Sequence, residues 1–220
     1  MLRYFLFSVS IIAFLNNACA FPSDEDIRKF EVRANKGQIR DSYYLNELFK
    51  YCKNTEEVNA LAKKLTSHSS MQEHLELIQM SQARRIEYFG DHYNAFKILR
   101  SVRQTHFKSL SSTIKSEYYH VLGYIGLNSG NPLIALENYK KALFYSLKGD
   151  NKELIQSHYM SIGVTYNALG RTDDAGSQFD KAEEYEFNGP NRNSLYLKLN
   201  RALLDANKGN LELAKEKFKK

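Results

Sequence analysis

Tryptophan is missing from the 220 residues, and only three prolines and two cysteines are present. With so little proline, long stretches are free to be helical, because an interior proline removes a backbone hydrogen bond and breaks the helix. Two cysteines cannot build a disulfide framework. The longest apolar run, Tyr4 to Leu15, is 12 residues. A helix that crosses a bilayer needs about 20, so no membrane span is expected. The six histidines are scattered, at 68, 74, 92, 106, 120 and 158, and no His-Glu-x-x-His occurs; no metal site follows. No glycine-rich loop can cradle a phosphate, so no cofactor is expected. Ser112-x-x-Lys115 has the spacing of penicillin-binding enzymes but lacks their Ser-Asp-Asn and Lys-Thr-Gly partners. Ser112 is read instead as the cap of the helix that Lys115 decorates. No catalytic residue is assigned, and the chain is not expected to be an enzyme.

Composition suits a helical protein, at 43% hydrophobic and 25% charged. The net charge of +6 comes from basic and acidic residues that are interleaved, which describes a solvated surface and not a nucleic-acid footprint. The single dense basic run, Lys215 to Lys220, shares its helix with Leu213 and Phe218.

The strongest signal is an internal repeat. Leu122-Gly123, Gly130, Ala135, Tyr139 and Ala142 return 40 positions later as Ile162-Gly163, Gly170, Ala175, Phe179 and Ala182. Weaker copies lie on the same grid, with Gly90, Ala95, Leu99 and Val102 before and Gly209, Ala214 and Phe218 after. Such units cannot bury their apolar faces alone and do so by stacking. Each position has a physical job. Gly123 and Gly163 allow close approach of the second helix of each pair, and Ala135, Ala175 and Ala214 do so from the other side. Gly90, Gly130, Gly170 and Gly209 end the first helix in the left-handed conformation. Asp91, Asn131 and Asn210 then cap the second helix, with Pro132 at a first helical position.

This pattern resembles the tetratricopeptide repeat (TPR). In the best copy Tyr159 stands for the motif's Trp, Ile162-Gly163 for Leu-Gly and Tyr166 for Tyr, followed by Gly170, Ala175, Phe179 and Ala182, while Phe187 replaces the closing proline. The period exceeds the usual one of about 34 residues and is similar to the long repeats of kinesin light chains and the MalT-like regulators. The resemblance implies an all-α, TPR-like α-solenoid of antiparallel helix pairs in a right-handed superhelix. The repeats are placed at about 76–115, 116–155, 156–194 and 195–220, the last incomplete. The extra length is expected in the second helix and the link to the next unit.

Residues 1–20 read as a secretory signal: Arg3, the apolar run, then Ala18-Cys19-Ala20 as an A-x-A cleavage site, giving a mature chain from Phe21. An uncleaved anchor and a lipoprotein acylated at Cys19 are the rivals. Asn16, where the lipoprotein motif wants Leu, counts against the second. Cleavage would remove Cys19 and leave Cys52 as a small buried side chain without an intrachain bridge. Export without disulfides or an Asn-x-Ser/Thr sequon leans toward a bacterial periplasm.

Residues 21–75 read as N-terminal helices, a degenerate repeat or cap. Ser23 with Asp24, Glu25 and Asp26 opens a short helix, a pair follows at 38–52 and 55–66 with Asn54 and Glu57 at its second start, and Ser70-x-x-Glu73 is a capping box. Asp150-x-x-Glu153 is read as a further cap, and Gly189-Pro190 as a break. No polar capping element follows Leu211 to Lys220, which points to a fragment of a longer, membrane-anchored chain.

By the same resemblance, the first helices line a concave groove. Its candidate residues are Met80 and Arg84; His120, Tyr124, Leu127 and Asn128; Met160, Val164 and Asn167; and Leu199 and Leu203. The groove is mostly apolar and lacks a Lys/Arg/Asn clamp for a C-terminal carboxylate, which suits an amphipathic helix or apolar peptide. A non-enzymatic scaffold that binds a protein or peptide is the implied function. The alternative is the extracytoplasmic sensory input region of a bacterial kinase or cyclase receptor.

Overall fold

The four glycines on the repeat grid fix the helix boundaries. In the computed structural model Gly90, Gly130, Gly170 and Gly209 have φ between 72° and 86°, a region in which a Cβ is strained. Beside each, one hydrogen bond recurs: Asp91 N to Ile86 O, Asn131 N to Gly126 O, Arg171 N to Tyr166 O and Asn210 N to Asp205 O. This is the six-to-one bond of a Schellman motif, which satisfies an orphan carbonyl at the helix end. The next helix starts at once, so each first helix turns back on itself in three residues.

The structure describes Glu25, Lys29 and residues 41–67, 74–105, 107–185 and 192–219. Among these it is all-helical: α1 Asp41–Lys50, α2 Thr55–Ser67, α3 Leu75–Tyr88, α4 His92–Thr105, a 3-10 turn Phe107–Ser109, α5 Ser112–Asn128, α6 Pro132–Lys148, α7 Lys152–Ala168, α8 Thr172–Glu183, α9 Arg192–Asn207 and α10 Leu211–Lys219. The signal sequence, the helix expected from Ser23, the Ser70-x-x-Glu73 box and Gly189-Pro190 fall outside the described residues.

Two compact units divide within α4, residues 1–98 and 99–220. In the first, α3 packs on α1 and α2 around Leu45, Phe49, Val58, Leu61, Leu65, Ile78 and Ile86. Asn54 caps α2 as expected: its Oδ1 accepts from Glu57 N at 2.9 Å, and Glu57 reaches back to Lys53 N at 2.8 Å. Cys52 is fully buried, but it is not a lone thiol: it is disulfide-bonded. Cleavage before Phe21 would remove Cys19, the chain's other cysteine, and with it any bridge within one chain.

In the second unit α5 pairs with α6, α7 with α8 and α9 with α10. α6 packs on α7 and α8 on α9, and successive first helices adjoin, α5 with α7 and α7 with α9. This is repeat stacking. The apolar core runs through Ala135, Tyr139, Met160, Ile162, Phe179, Ala182, Leu197 and Leu204. Gly123 and Gly163 are where helices close most tightly: a Cβ would come within 2.6–2.9 Å of the Tyr139 ring and 2.5–3.0 Å of the Phe179 ring. Ala135 instead faces Gly126, whose Cβ would lie 3.1 Å from Ala135 N. The long period goes into the first helices as well as one second helix, α5, α6 and α7 having 17 residues each, whereas α8 has 12.

Two caps sit one residue from their expected places. Ser111, not Ser112, caps α5 and accepts from Ile114 N at 3.3 Å. Asn151, not Asp150, caps α7 and accepts from Leu154 N at 3.1 Å. Asp150 has φ 47° and ends the preceding helix in the left-handed region. Asp91 accepts from Asn94 N at 3.2 Å as a cap should, while Asn131 makes no side-chain cap bond and donates its amide to Ser129 O.

Candidate interaction surface

First helices are apolar on two sides because each meets both its own partner helix and the next first helix. That double demand sorts the candidate groove residues. Met80 is buried in the first unit, and Arg84 beside it is half-buried. In the second unit His120 is 9% exposed and Met160 6%; Met160 belongs to the core. Leu127 and Val164 pack partly buried against that core. Tyr124 and Asn167 are half-buried, and Asn128 is exposed. Asn207 Nδ2 donates to Asn167 Oδ1 at 3.1 Å, from α9 to α7. Leu199 and Leu203 stand 39% and 45% exposed, and Tyr196, on the same face of α9, 50%. The positions therefore do not form one uniform lining. Those of α5 and α7 are largely used between repeats, and those of α9 are open.

Sequence reasoning missed what lies beneath His120. Its Nδ1 is 3.1 Å from His158 Nδ1, His158 Nε2 is 2.6 Å from Ser116 Oγ, and Ser116 Oγ donates to Ala142 O at 2.9 Å. Ser116 and His158 are fully buried. A serine within reach of an imidazole has the geometry of a nucleophile and its base, but this pair is sealed in the core and its serine proton is taken by a carbonyl, so it ties α5, α6 and α7 together. The signal was available. On the repeat grid His158 takes the place of Ile78, Tyr118 and Leu197, all buried, and a histidine at a core position must find polar partners.

Gln156 holds the Ser116 position of the third copy and is fully buried, with neither Oε1 nor Nε2 bonded among the described residues. The fourth copy supplies Leu197 where the third supplied His158, so the amide meets no imidazole. Gln156→Met, close in shape and without the amide, is expected to raise stability by about 1 kcal/mol, read as a higher urea midpoint at unchanged m. A lower midpoint would mean that the amide is bonded in solution.

Across the next repeat junction Arg201 on α9 lies 2.7 Å from Asp180 Oδ1 and 2.6 Å from Glu183 Oε1 of α8. Partial burial lowers the Arg201 pKa, but the two carboxylates outweigh it and raise it. Among the described residues no group of three or more His, Cys, Asp or Glu side chains could hold a metal ion, and no helix is long and apolar enough to cross a membrane.

Neither a protein-family model nor a curated protein matches the sequence. Solved structures do. A Podosopora anserina protein assigned to the kinesin light chains, with nearly identical TPR-like repeats, aligns over 87% of this chain and 89% of its own, with a TM-score of 0.52 and 18% identity. A point variant of that protein aligns over the same shares, with a TM-score of 0.54 and 18% identity. The fold is a TPR-like repeat array. At that identity the likeness carries the fold alone. The TPR-like helix pairs of the second unit are α5/α6, α7/α8 and α9/α10.

Proposed function

We propose that this TPR-like chain is an exported, non-enzymatic scaffold that holds an amphipathic helix or apolar peptide against its first helices. The observation that carries the reading is the open stripe Tyr196, Leu199 and Leu203 on α9, spaced three and four residues apart on one helical face. Exposed apolar residues gathered on one face mark a contact surface, whereas single ones do not. The candidate set narrows accordingly: Met80, His120 and Met160 support the fold, and Leu199 and Leu203 would touch the partner, with Asn128, Tyr124 and Arg84 at accessible positions beside their own repeats.

A display library of amphipathic helical peptides, panned on the full chain, tests the reading. Peptides recovered on the wild type are expected to lose about 100-fold or more in affinity on Leu199→Glu/Leu203→Glu, because each carboxylate would be buried unpaired. Leu147→Glu, an equally exposed site on α6, should leave affinity unchanged, and all three proteins should be equally helical by circular dichroism. Undiminished binding to the double variant, or no recovered peptide, overturns it. Export rests on the leader pattern of Arg3, the apolar run and Ala18-Cys19-Ala20. N-terminal sequencing of the chain expressed in a bacterium is expected to begin at Phe21, and a chain that retains Met1 would sink that part.

A further inference from the structure

The buried pair His120 and His158 joins the second repeat to the third through one ring-to-ring hydrogen bond. Ala142 O can only accept, so it takes the Ser116 hydroxyl proton, and Ser116 Oγ then accepts from His158 Nε2–H. That leaves His158 Nδ1 as the acceptor for His120 Nδ1–H at 3.1 Å. The rings lie 5.1 Å apart, and Tyr139 of α6 closes over His120 edge-on at 5.3 Å. We propose that this pair is a proton-sensitive latch between the second and third repeats, closed while no more than one of the two imidazoles is charged and forced open by the second proton.

The argument is one of counting protons. One added proton fits: His158 becomes a donor at both nitrogens, and His120 moves its hydrogen to Nε2 and accepts at Nδ1. Two do not fit, because two N–H groups would then face each other across 3.1 Å. Unfolded, both rings charge below about pH 6.5. In acid the unfolded chain therefore binds two protons here and the latched fold at most one. Stability must fall as pH falls, with the unfolding constant rising about tenfold per pH unit for the excess proton. The sign is that of a site whose folded form resists protonation, so the contribution is whole above about pH 6.5 and is lost below it.

Neighbouring groups leave this limb in place. On α5 the buried carboxyl is Glu117. An anion on the same helix would favour the first proton, which the pair accommodates, and would not relieve the clash of the second. Burial pushes the Tyr118 phenol up to about 12, against a smaller opposing pull from Arg103, and burial also raises Tyr159 on α7. On α6, Lys140 and Lys141 lie over the rings of Tyr166 and Tyr119. On α8 and α9, Asp180 and Glu183 are paired with Arg201.

The test is urea unfolding of the full chain between pH 7.5 and 5.0, beside His120→Met/His158→Leu. Those replacements are the residues that the third and fourth copies carry at the same positions, Met160 and Leu197, both buried. The wild type should lose about tenfold more in folding equilibrium per pH unit below about pH 6 than the double variant. His120→Asn, whose amide can still donate to His158 Nδ1 but does not titrate, should flatten the profile as well, and stands in if the double variant does not fold. Nitrogen-detected NMR of the imidazoles should place hydrogens on His158 Nε2 and His120 Nδ1 at pH 7.5. Equal pH slopes in wild type and variants, or two imidazolium rings in a chain still folded at pH 5.0, would overturn the latch.

Discussion

Phe179→Ala is expected to cost about 3–5 kcal/mol. The ring is buried in the third repeat and lies directly over Gly163, where a Cβ would meet its Cε1, Cδ1 and Cζ at 2.5–3.0 Å. On the α7 side the ring meets a glycine, which has no side chain to swing into the void, so the cavity stays largely open. Gly163→Ala alone should cost about 1–2 kcal/mol: the overlap with a rigid, enclosed ring outweighs the roughly 1 kcal/mol of helix propensity gained. In Gly163→Ala/Phe179→Ala the new methyl enters space the ring has left. The loss in the double variant should therefore fall short of the sum of the two single losses by about 1–2 kcal/mol. Urea unfolding of the four proteins measures this coupling, and strict additivity would mean that ring and glycine do not touch.

That contact was legible in the sequence because the glycine and the aromatic recur together on the 40-residue grid, Gly123 with Tyr139 and Gly163 with Phe179. The same holds for the left-handed turns. Gly130 and Gly170 occupy a conformation that few other residues tolerate, so their identity states the geometry. Caps were less legible. At Ser111-Ser112 and Asp150-Asn151 both neighbours are good cap formers, and which one leads the helix depends on where the preceding turn delivers the chain. Asp150 is drawn into the left-handed region by the end of α6, so the cap passes to Asn151.

The candidate surface was legible only in outline. Whether a first-helix position opens to solvent depends on how closely the following first helix approaches, a distance set by side chains on three helices at once. His120 and Met160 are covered by the first helix of the repeat that follows each, whereas Leu199 and Leu203 lie on α9, which no further first helix follows among the described residues. His158 carried a local signal, a polar residue at a core register, but its partners Ser116 and His120 come from another helix 42 and 38 residues away.

Gly126 separates packing from the repeat consensus. It stands where Ile86, Tyr166 and Asp205 stand in the other copies, so the pattern treats the position as variable and the best copy suggests tyrosine. In the structure its Cβ would lie 3.1 Å from Ala135 N, 3.4 Å from Ala135 Cα and 3.5 Å from Ile134 Cγ2. The opposing group is backbone, fixed by Asn131 N bonding to Gly126 O at 2.8 Å and by Ala135 N bonding to Asn131 O at 3.0 Å. Gly126→Ala is expected to be nearly neutral, since the few tenths of an ångström it demands offset a helix-propensity gain of about 1 kcal/mol. Gly126→Tyr should cost about 3 kcal/mol, because the nearest atoms across the contact are the Ala135 backbone, which cannot step aside, and α5 must lift from α6. Unlike the overlap at Gly163, this one cannot be relieved by trimming a ring opposite. Thermal unfolding of the two variants decides the matter: a tolerated tyrosine would mean that α5 and α6 part at little cost, and that the second repeat is held by its apolar side chains and not by the approach of its backbones.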